Sequence, residues 1–300
     1  MTTHAGAAAG ARLGTSRASA AALLAILLLA ILLFALALPA GTSRAESLLE
    51  RGTYLMQSIV ACGNCHTPQG PEGPLPGMEL AGGLKMEDPV FTAYGANLTP
   101  DVETGIGGWS DEEIVTAIRE GRRPDGSMIG PIMPIALYSR MSDRDVRAIV
   151  AYLRALKPVR NAVPESVYNI PVPPAYGPPV TAVAEVPRED KLAYGAYLAG
   201  PLGHCIECHS PMGPMGPDWR GELGAGGLAF YGPWGISHAS NITPTNLGDW
   251  SDADLKMVIA TGVRPDGSRL LPPMPVGYYR NIAPSDLDAL VAYLRSLPAR

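Results

Sequence analysis

One five-residue pattern, written twice, limits what this chain can fold into more than any other feature. Cys62-Gly-Asn-Cys-His66 returns 143 residues later as Cys205-Ile-Glu-Cys-His209. The likeness extends beyond the cysteines. Arg51-Gly-Thr-Tyr-Leu55 precedes the first pattern and Tyr194-Gly-Ala-Tyr-Leu198 the second, at the same offset. Asn97-Leu-Thr-Pro100 matches Asn241-Ile-Thr-Pro244, and Trp109-Ser-Asp matches Trp250-Ser-Asp. From Gly121 to Leu156 the match to Gly262–Leu297 needs no gap, and 18 of 36 positions are identical. A repeat of this length is a duplicated domain, far longer than a solenoid unit.

Each copy reads as mainly helical. Ser47–Ile59 forms a first helix leading into the cysteines. Ser110-Asp-Glu-Glu113 is a capping-box start whose helix ends near Gly121. Ser142–Leu156 carries apolar residues at Val146, Ile149, Val150, Leu153 and Leu156, a helical period with Ser142 as N-cap. Ser285–Leu297 repeats that helix, with Pro284 suited to the first turn. No run of alternating β-branched residues predicts a strand. Between the copies, 157–191 holds eight prolines in 35 residues, which makes it an extended strap or a passive spacer.

The N-terminus reads as a targeting segment. Arg12 and Arg17 precede Ala20–Leu38, nineteen apolar residues without a charge, and Ser43-Arg-Ala45 follows. This is an export signal cleaved after Ala45, or a retained membrane anchor of about bilayer length. The expected organisation is therefore 1–45 signal or anchor, 46–156 first domain, 157–191 Pro-rich linker and 192–300 second domain. Residues 46–300 hold 20 basic and 28 acidic groups, a net charge of −8. That excludes nucleic acid as a partner, because such binding needs clustered basic charge.

Cysteines three apart on one helical turn reach two substituents on the edge of one flat macrocycle. A histidine four residues from the first cysteine aims at the ring's centre. C-x-x-C-H is for that reason read as covalent haem c attachment. Cys62, Cys65, Cys205 and Cys208 would become thioethers, and His66 and His209 proximal iron ligands. Three other readings fit less well. A redox-active CxxC does not need the following histidine. A zinc site shared by both cysteine pairs leaves both histidines idle. A disulfide across two residues closes too small a loop to contribute much.

The sixth iron ligand must come from a loop far along the chain. Met133 in Pro131-Ile-Met-Pro134 lies 67 residues beyond His66, and Met274 in Pro272-Pro-Met-Pro275 lies 65 beyond His209. The ungapped register pairs these two. It sets Met128 against Arg269 and Met141 against Ile282, leaving Met128 and Met141 as packing or surface residues. Met78, Met86 and Met128 remain alternatives in the first copy. In the second, Met212 and Met215 are too near His209, and Met257 reads as core. Asn97, Asn241, Trp109 and Trp250 are donors for haem propionates, or caps and core residues. His204 and His238 have no counterpart in the first copy and read as solvated or hydrogen-bonded.

With these residues in view, the exported chain resembles class I c-type cytochromes. From about Glu46 onward it is similar to cytochrome subunits of membrane-associated bacterial alcohol and gluconate dehydrogenases. Those subunits typically carry three such domains where this chain has two. The resemblance implies a close crossing of first and last helices, Gly52 with Tyr152 and Gly195 with Tyr293. It implies an electron carrier rather than an enzyme, with two haem c groups ligated by His66/Met133 and His209/Met274. The electron donor would be a dehydrogenase subunit, and the acceptor a quinone, an oxidase or a soluble cytochrome. The setting would be the periplasm or the periplasmic face of the inner membrane, with membrane association through the N-terminal apolar segment. The alternative is a dihaem redox enzyme, peroxidase-like or thiosulfate-oxidising. A cysteine iron ligand is excluded, since all four cysteines are committed.

Overall fold

Ser47 starts the first helix: its hydroxyl accepts from the Glu50 amide, and the Glu50 carboxylate accepts from the Ser47 N–H. This reciprocal cap satisfies two otherwise orphaned donors. A computed structural model of the chain describes residues 1–2, 27, 45–213, 216–232 and 234–300. The first half runs α1 (Leu48–Gln57), α2 (Gly63–His66), β1 (Lys85–Asp88), β2 (Phe91–Tyr94), α3 (Asp111–Glu120), α4 (Ile135–Tyr138) and α5 (Asp143–Ala155). A short strand β3 (Val167–Tyr168) follows. The second half runs α6 (Lys191–Tyr197), α7 (Cys205–Cys208), β4 (Ala229–Gly232), β5 (Gly235–His238), α8 (Asp252–Thr261), α9 (Val276–Tyr279) and α10 (Pro284–Ser296). The expected helices are all present. Ser110 and Ser142 cap α3 and α5, Gly121 ends α3 at φ 69°, and Pro284 opens α10.

Strands were not expected, yet β1–β2 and β4–β5 are hairpins. Their four-residue arms are too short to show alternation. In the second, Gly235 stands at the start of the returning strand with φ 92°. Segment 157–191 runs as a strap over the first half. β3 pairs with the free edge of β2, and Tyr168 meets Phe91 at 6.0 Å. Tyr176 donates to the Ile129 carbonyl at 2.7 Å, and the Asp143 amide donates to Val183 O at 3.0 Å. Among the described residues no third strand joins the second hairpin.

The helical crossings follow the glycines. A Cβ at Gly52 would lie 2.0 Å from Ala148 O, and one at Gly195 would lie 2.0 Å from Ala289 O. Tyr152 and Tyr293 flank the same two contacts. Only glycine permits backbones this close.

Glu46–Arg300 forms one compact unit, with a core that draws on both halves: Leu55, Ile59, Tyr138, Met141, Leu198, Leu202 and Tyr279 are all buried in it. The halves are joined reciprocally. Tyr54 donates to Asp286 at 2.7 Å and Tyr197 donates to Asp145 at 2.7 Å. The Ala283 amide donates to the Tyr54 hydroxyl, and the Ser142 amide to that of Tyr197. Tyr54 and Tyr197 are equivalent in the repeat, as are Asp145 and Asp286. Residue i meeting j′ while i′ meets j is the pattern of a twofold interface. Asp145 also holds Arg51 at 2.7 Å, both side chains almost fully buried. A hydrogen bond to a charged group contributes about 1.5–3 kcal/mol. Tyr197→Phe is therefore expected to destabilise the protein by about 2 kcal/mol in denaturant titration. No measurable change would show that this contact does not hold the halves together.

Among the described residues no helix is long and apolar enough to cross a membrane. Apart from Leu27, the apolar run Ala20–Leu38 and the following residues to Arg44 lie outside those described.

Candidate functional site

Both C-x-x-C-H segments fold as single helical turns, α2 and α7, entered through left-handed residues. Ala61 has φ 48° and its equivalent His204 has φ 39°. The turns are then locked from the far side. Gly82 N–H donates to His66 O at 2.7 Å, and Gly226 N–H donates to His209 O at 2.8 Å. Gly95 runs so close that an added Cβ would lie 2.1 Å from Cys65 O.

The next carbonyls orient the histidines. His66 Nδ1 lies 2.8 Å from Ala96 O, and His209 Nδ1 lies 2.6 Å from Ser240 O. A carbonyl only accepts, so Nδ1 carries the proton and Nε2 keeps its lone pair for a metal. Burial lowers both imidazole pKa values, opposed by these carbonyls. Both rings are thus neutral at pH 7, the form that coordinates iron.

No disulfide joins any of the four cysteines. Burial pushes Cys62 up to about 12, Cys65 to about 11 and Cys205 to about 11, and raises Cys208 further. Cys65 keeps an exposed face, yet the protein packed around it still raises its thiol. Redox-active CxxC cysteines need the opposite, a lowered pKa. Among the described residues no three His, Cys, Asp or Glu side chains gather into a metal cluster. The donor set therefore fits haem c: paired thiols on one turn beside an imidazole with Nε2 directed away from its backbone anchor.

The methionines separate by environment. Met133 and Met274 are half-buried at matching positions against the core, each just before a one-turn helix. The Ile135 amide donates to Met133 O, and the Val276 amide to Met274 O. Met141 is fully buried in the core. Met128 sits in a tight turn where Arg123 holds its carbonyl at 2.8 Å. Met212 is exposed. Met257 is exposed as well, which corrects its reading as core: it lies on the outward side of α8. Met78 and Met86 are half-buried, and Met215 lies outside the described residues.

Asn97 and Asn241 spend their amides on backbone rather than holding them free. Asn97 donates to Val159 O at 2.8 Å, and Asn241 donates to Arg300 O at 2.9 Å. Each accepts from the threonine two residues on. They tie the chain leaving the last helix of each half to the loop after the histidine. Trp109 packs against the core, and Arg154 and Arg295 reach the carbonyls of Trp109 and Trp250. His238 is exposed. The His204 ring meets Tyr138 edge-on at 6.0 Å, and its Nδ1 lies 3.7 Å from Glu207. Burial lowers His204 to about 4 and raises Glu207 to about 8.

Sequence reasoning missed the residues between the two turns. Tyr138 and Tyr279 are buried in the shared core, and burial raises both hydroxyls well above their ordinary pKa. Tyr279 donates to Gly203 O at 3.3 Å. A Cβ at Gly63 would meet the Tyr278 hydroxyl at 2.0 Å, and Asn64 donates to Pro273 O at 2.9 Å. Tyr138 and Tyr279 are identical in the ungapped register, a signal that was available.

Comparison with known proteins places the chain among relatives of known family. Residues 47–153 match the family described as cytochrome C oxidase, cbb3-type, subunit III. The cytochrome c subunit of a quinone alcohol dehydrogenase from Gluconobacter oxydans is 33% identical over 85% of this chain and 55% of its own length. The gluconate 2-dehydrogenase cytochrome c subunit of Pantoea cypripedii is 31% identical over 85% of this chain and 60% of its own. This chain thus spans little more than half the length of those relatives. A protein of Cereibacter sphaeroides named dihaem cytochrome c-type is 30% identical, over 79% of this chain and 82% of its own length. The family implies covalently bound haem c and a role in electron transport. On these similarities and on the donor set above, the chain belongs to the c-type cytochromes.

Proposed function

We propose that this protein is a dihaem electron carrier built from two tandem cytochrome c domains, 46–156 and 192–300, joined by the Pro-rich strap. Cys62 and Cys65 would hold one haem c, and Cys205 and Cys208 the other. His66 with Met133, and His209 with Met274, would supply the axial donors. Haem c, when bound, supplies one-electron iron chemistry. The protein's part is ligation, burial and docking. The observation that carries the reading is the matched pair of sites: two C-x-x-C-H turns, each with its imidazole anchored at Nδ1, and two equivalent methionines.

Four committed donors leave no open coordination position, which favours a carrier over a peroxidase-like or thiosulfate-oxidising enzyme. Methionine as sixth ligand raises the reduction potential relative to bis-histidine ligation. Electrons would come from a dehydrogenase subunit and leave to a quinone, an oxidase or a soluble cytochrome. The protein would then sit in the periplasm or on the periplasmic face of the bacterial inner membrane. The relatives' names support the donor, and the exported-signal reading of 1–45 supports the place.

Haem content and ferric optical spectra of the full chain test this directly. Two covalent haems and a methionine–iron charge-transfer band accounting for both are expected. A five-coordinate high-spin haem, or turnover of peroxide, would overturn the carrier reading.

A further inference from the structure

The two methionine loops are equivalent in sequence but are held by different means. Loop one is braced by the strap. Tyr176 donates to Ile129 O, and the Tyr168 ring fills the space beside Gly130, where a Cβ would lie 2.0 Å from it. In loop two, Leu271 replaces Gly130, and among the described residues no strap strand pairs with the second hairpin. Its carbonyls find other donors. The Ser237 hydroxyl, on β5, donates to Pro272 O at 2.6 Å. The Asn64 amide donates to Pro273 O at 2.9 Å, across 209 positions of sequence. Asn64 belongs to the other half, inside the first C-x-x-C-H turn. Its equivalent in the second turn is Glu207, which reaches His204 instead.

We infer that Asn64 is a positioning residue for Met274: one attachment turn holds the methionine loop of the other site. This rests on the reading of Met274 as axial ligand. Pro273 immediately precedes Met274, so a donor fixed on its carbonyl limits the backbone motion by which the thioether leaves the iron. Tyr278, four residues after Met274, lies against Gly63 of the same turn, where a Cβ would meet its hydroxyl at 2.0 Å. Turn and loop therefore touch at two points. A thioether is a weak donor, and holding its loop is how a protein keeps it bound. Among the described residues the arrangement is one-sided: Glu207 of turn two lies near His204 and makes no matching bond to loop one.

The test uses the full dihaem protein, with imidazole as the probe that competes with methionine. Asn64→Leu and Asn64→Asp both remove the N–H donor at nearly constant size. Binding at each haem is followed through the ε-methyl resonances of the two ligated methionines, assigned with Met133→Ala and Met274→Ala. Imidazole affinity at the haem of Cys205/Cys208 is expected to rise about five- to tenfold in both variants, the ratio for one lost hydrogen bond. Affinity at the haem of Cys62/Cys65 should stay unchanged. An unchanged affinity at the second haem, or an equal rise at both, overturns the inference. If Met274→Ala leaves the second haem's ligation intact, the ligand reading and the inference fall together. If Met274→Ala removes that ligation while the Asn64 variants behave as wild type, only the inference falls.

Discussion

Gly52→Ala and Gly195→Ala are each expected to destabilise the folded protein by about 3 kcal/mol or more, within or above the range for overpacking a close contact. The new methyl would sit 2.0 Å from the carbonyl oxygen of Ala148 or Ala289. Backbone cannot swing aside as a flexible side chain does, so helices α1 and α5, or α6 and α10, must separate. Alanine's better helix propensity returns only about 1 kcal/mol. Gly277→Ala is the control. It lies within α9, and a Cβ there meets nothing within 4 Å. That change should be neutral or stabilising by up to about 1 kcal/mol. Chemical denaturation of the three variants decides the matter. Equal midpoints for Gly52→Ala and Gly277→Ala would show that the crossing is not the tight contact described.

The second large effect concerns ligation. Met133→Ala should abolish methionine coordination at the first haem and lower its potential, because the remaining donors favour the ferric state more strongly. Met128→Ala should do neither, since Met128 occupies a turn closed by Arg123 rather than the loop equivalent to Met274. Met141→Ala should instead act on stability alone, at about 2–5 kcal/mol, as a fully buried side chain. Ferric optical spectra and redox titration of the three variants separate these outcomes. Loss of the charge-transfer band in Met128→Ala, with the band kept in Met133→Ala, would reverse the assignment.

The helices and the two turns were legible because their parts are local. The C-x-x-C-H turns, the capping boxes at Ser47 and Ser110, the N-cap at Ser142 and the stop at Gly121 each depend on residues within a few positions. The duplication acted as an internal control and separated Met133 from Met128 and Met141. Short hairpins were not legible, since four-residue arms carry no periodic signal. Met257 was misread because an apolar residue on a helix says nothing of which side it faces. Asn97 and Asn241 had two open roles, and only the chain leaving the last helices showed where their amides go.

The sequence by itself therefore determined the main helices, their caps and the C-x-x-C-H turns, and it named the candidate donors, while the glycine crossings followed from the family resemblance. The helices, their caps and the two turns are short-range matters of spacing, backbone sterics and capping. Only the tertiary structure decided how the copies meet. Tyr54 reaches Asp286, Tyr197 reaches Asp145, and Asn64 in one attachment turn reaches Pro273 beside the other copy's methionine. Contacts across 52 to 232 positions leave no local pattern. They arise when two similar bodies bury a shared core, and their partners are chosen by the shape of that burial.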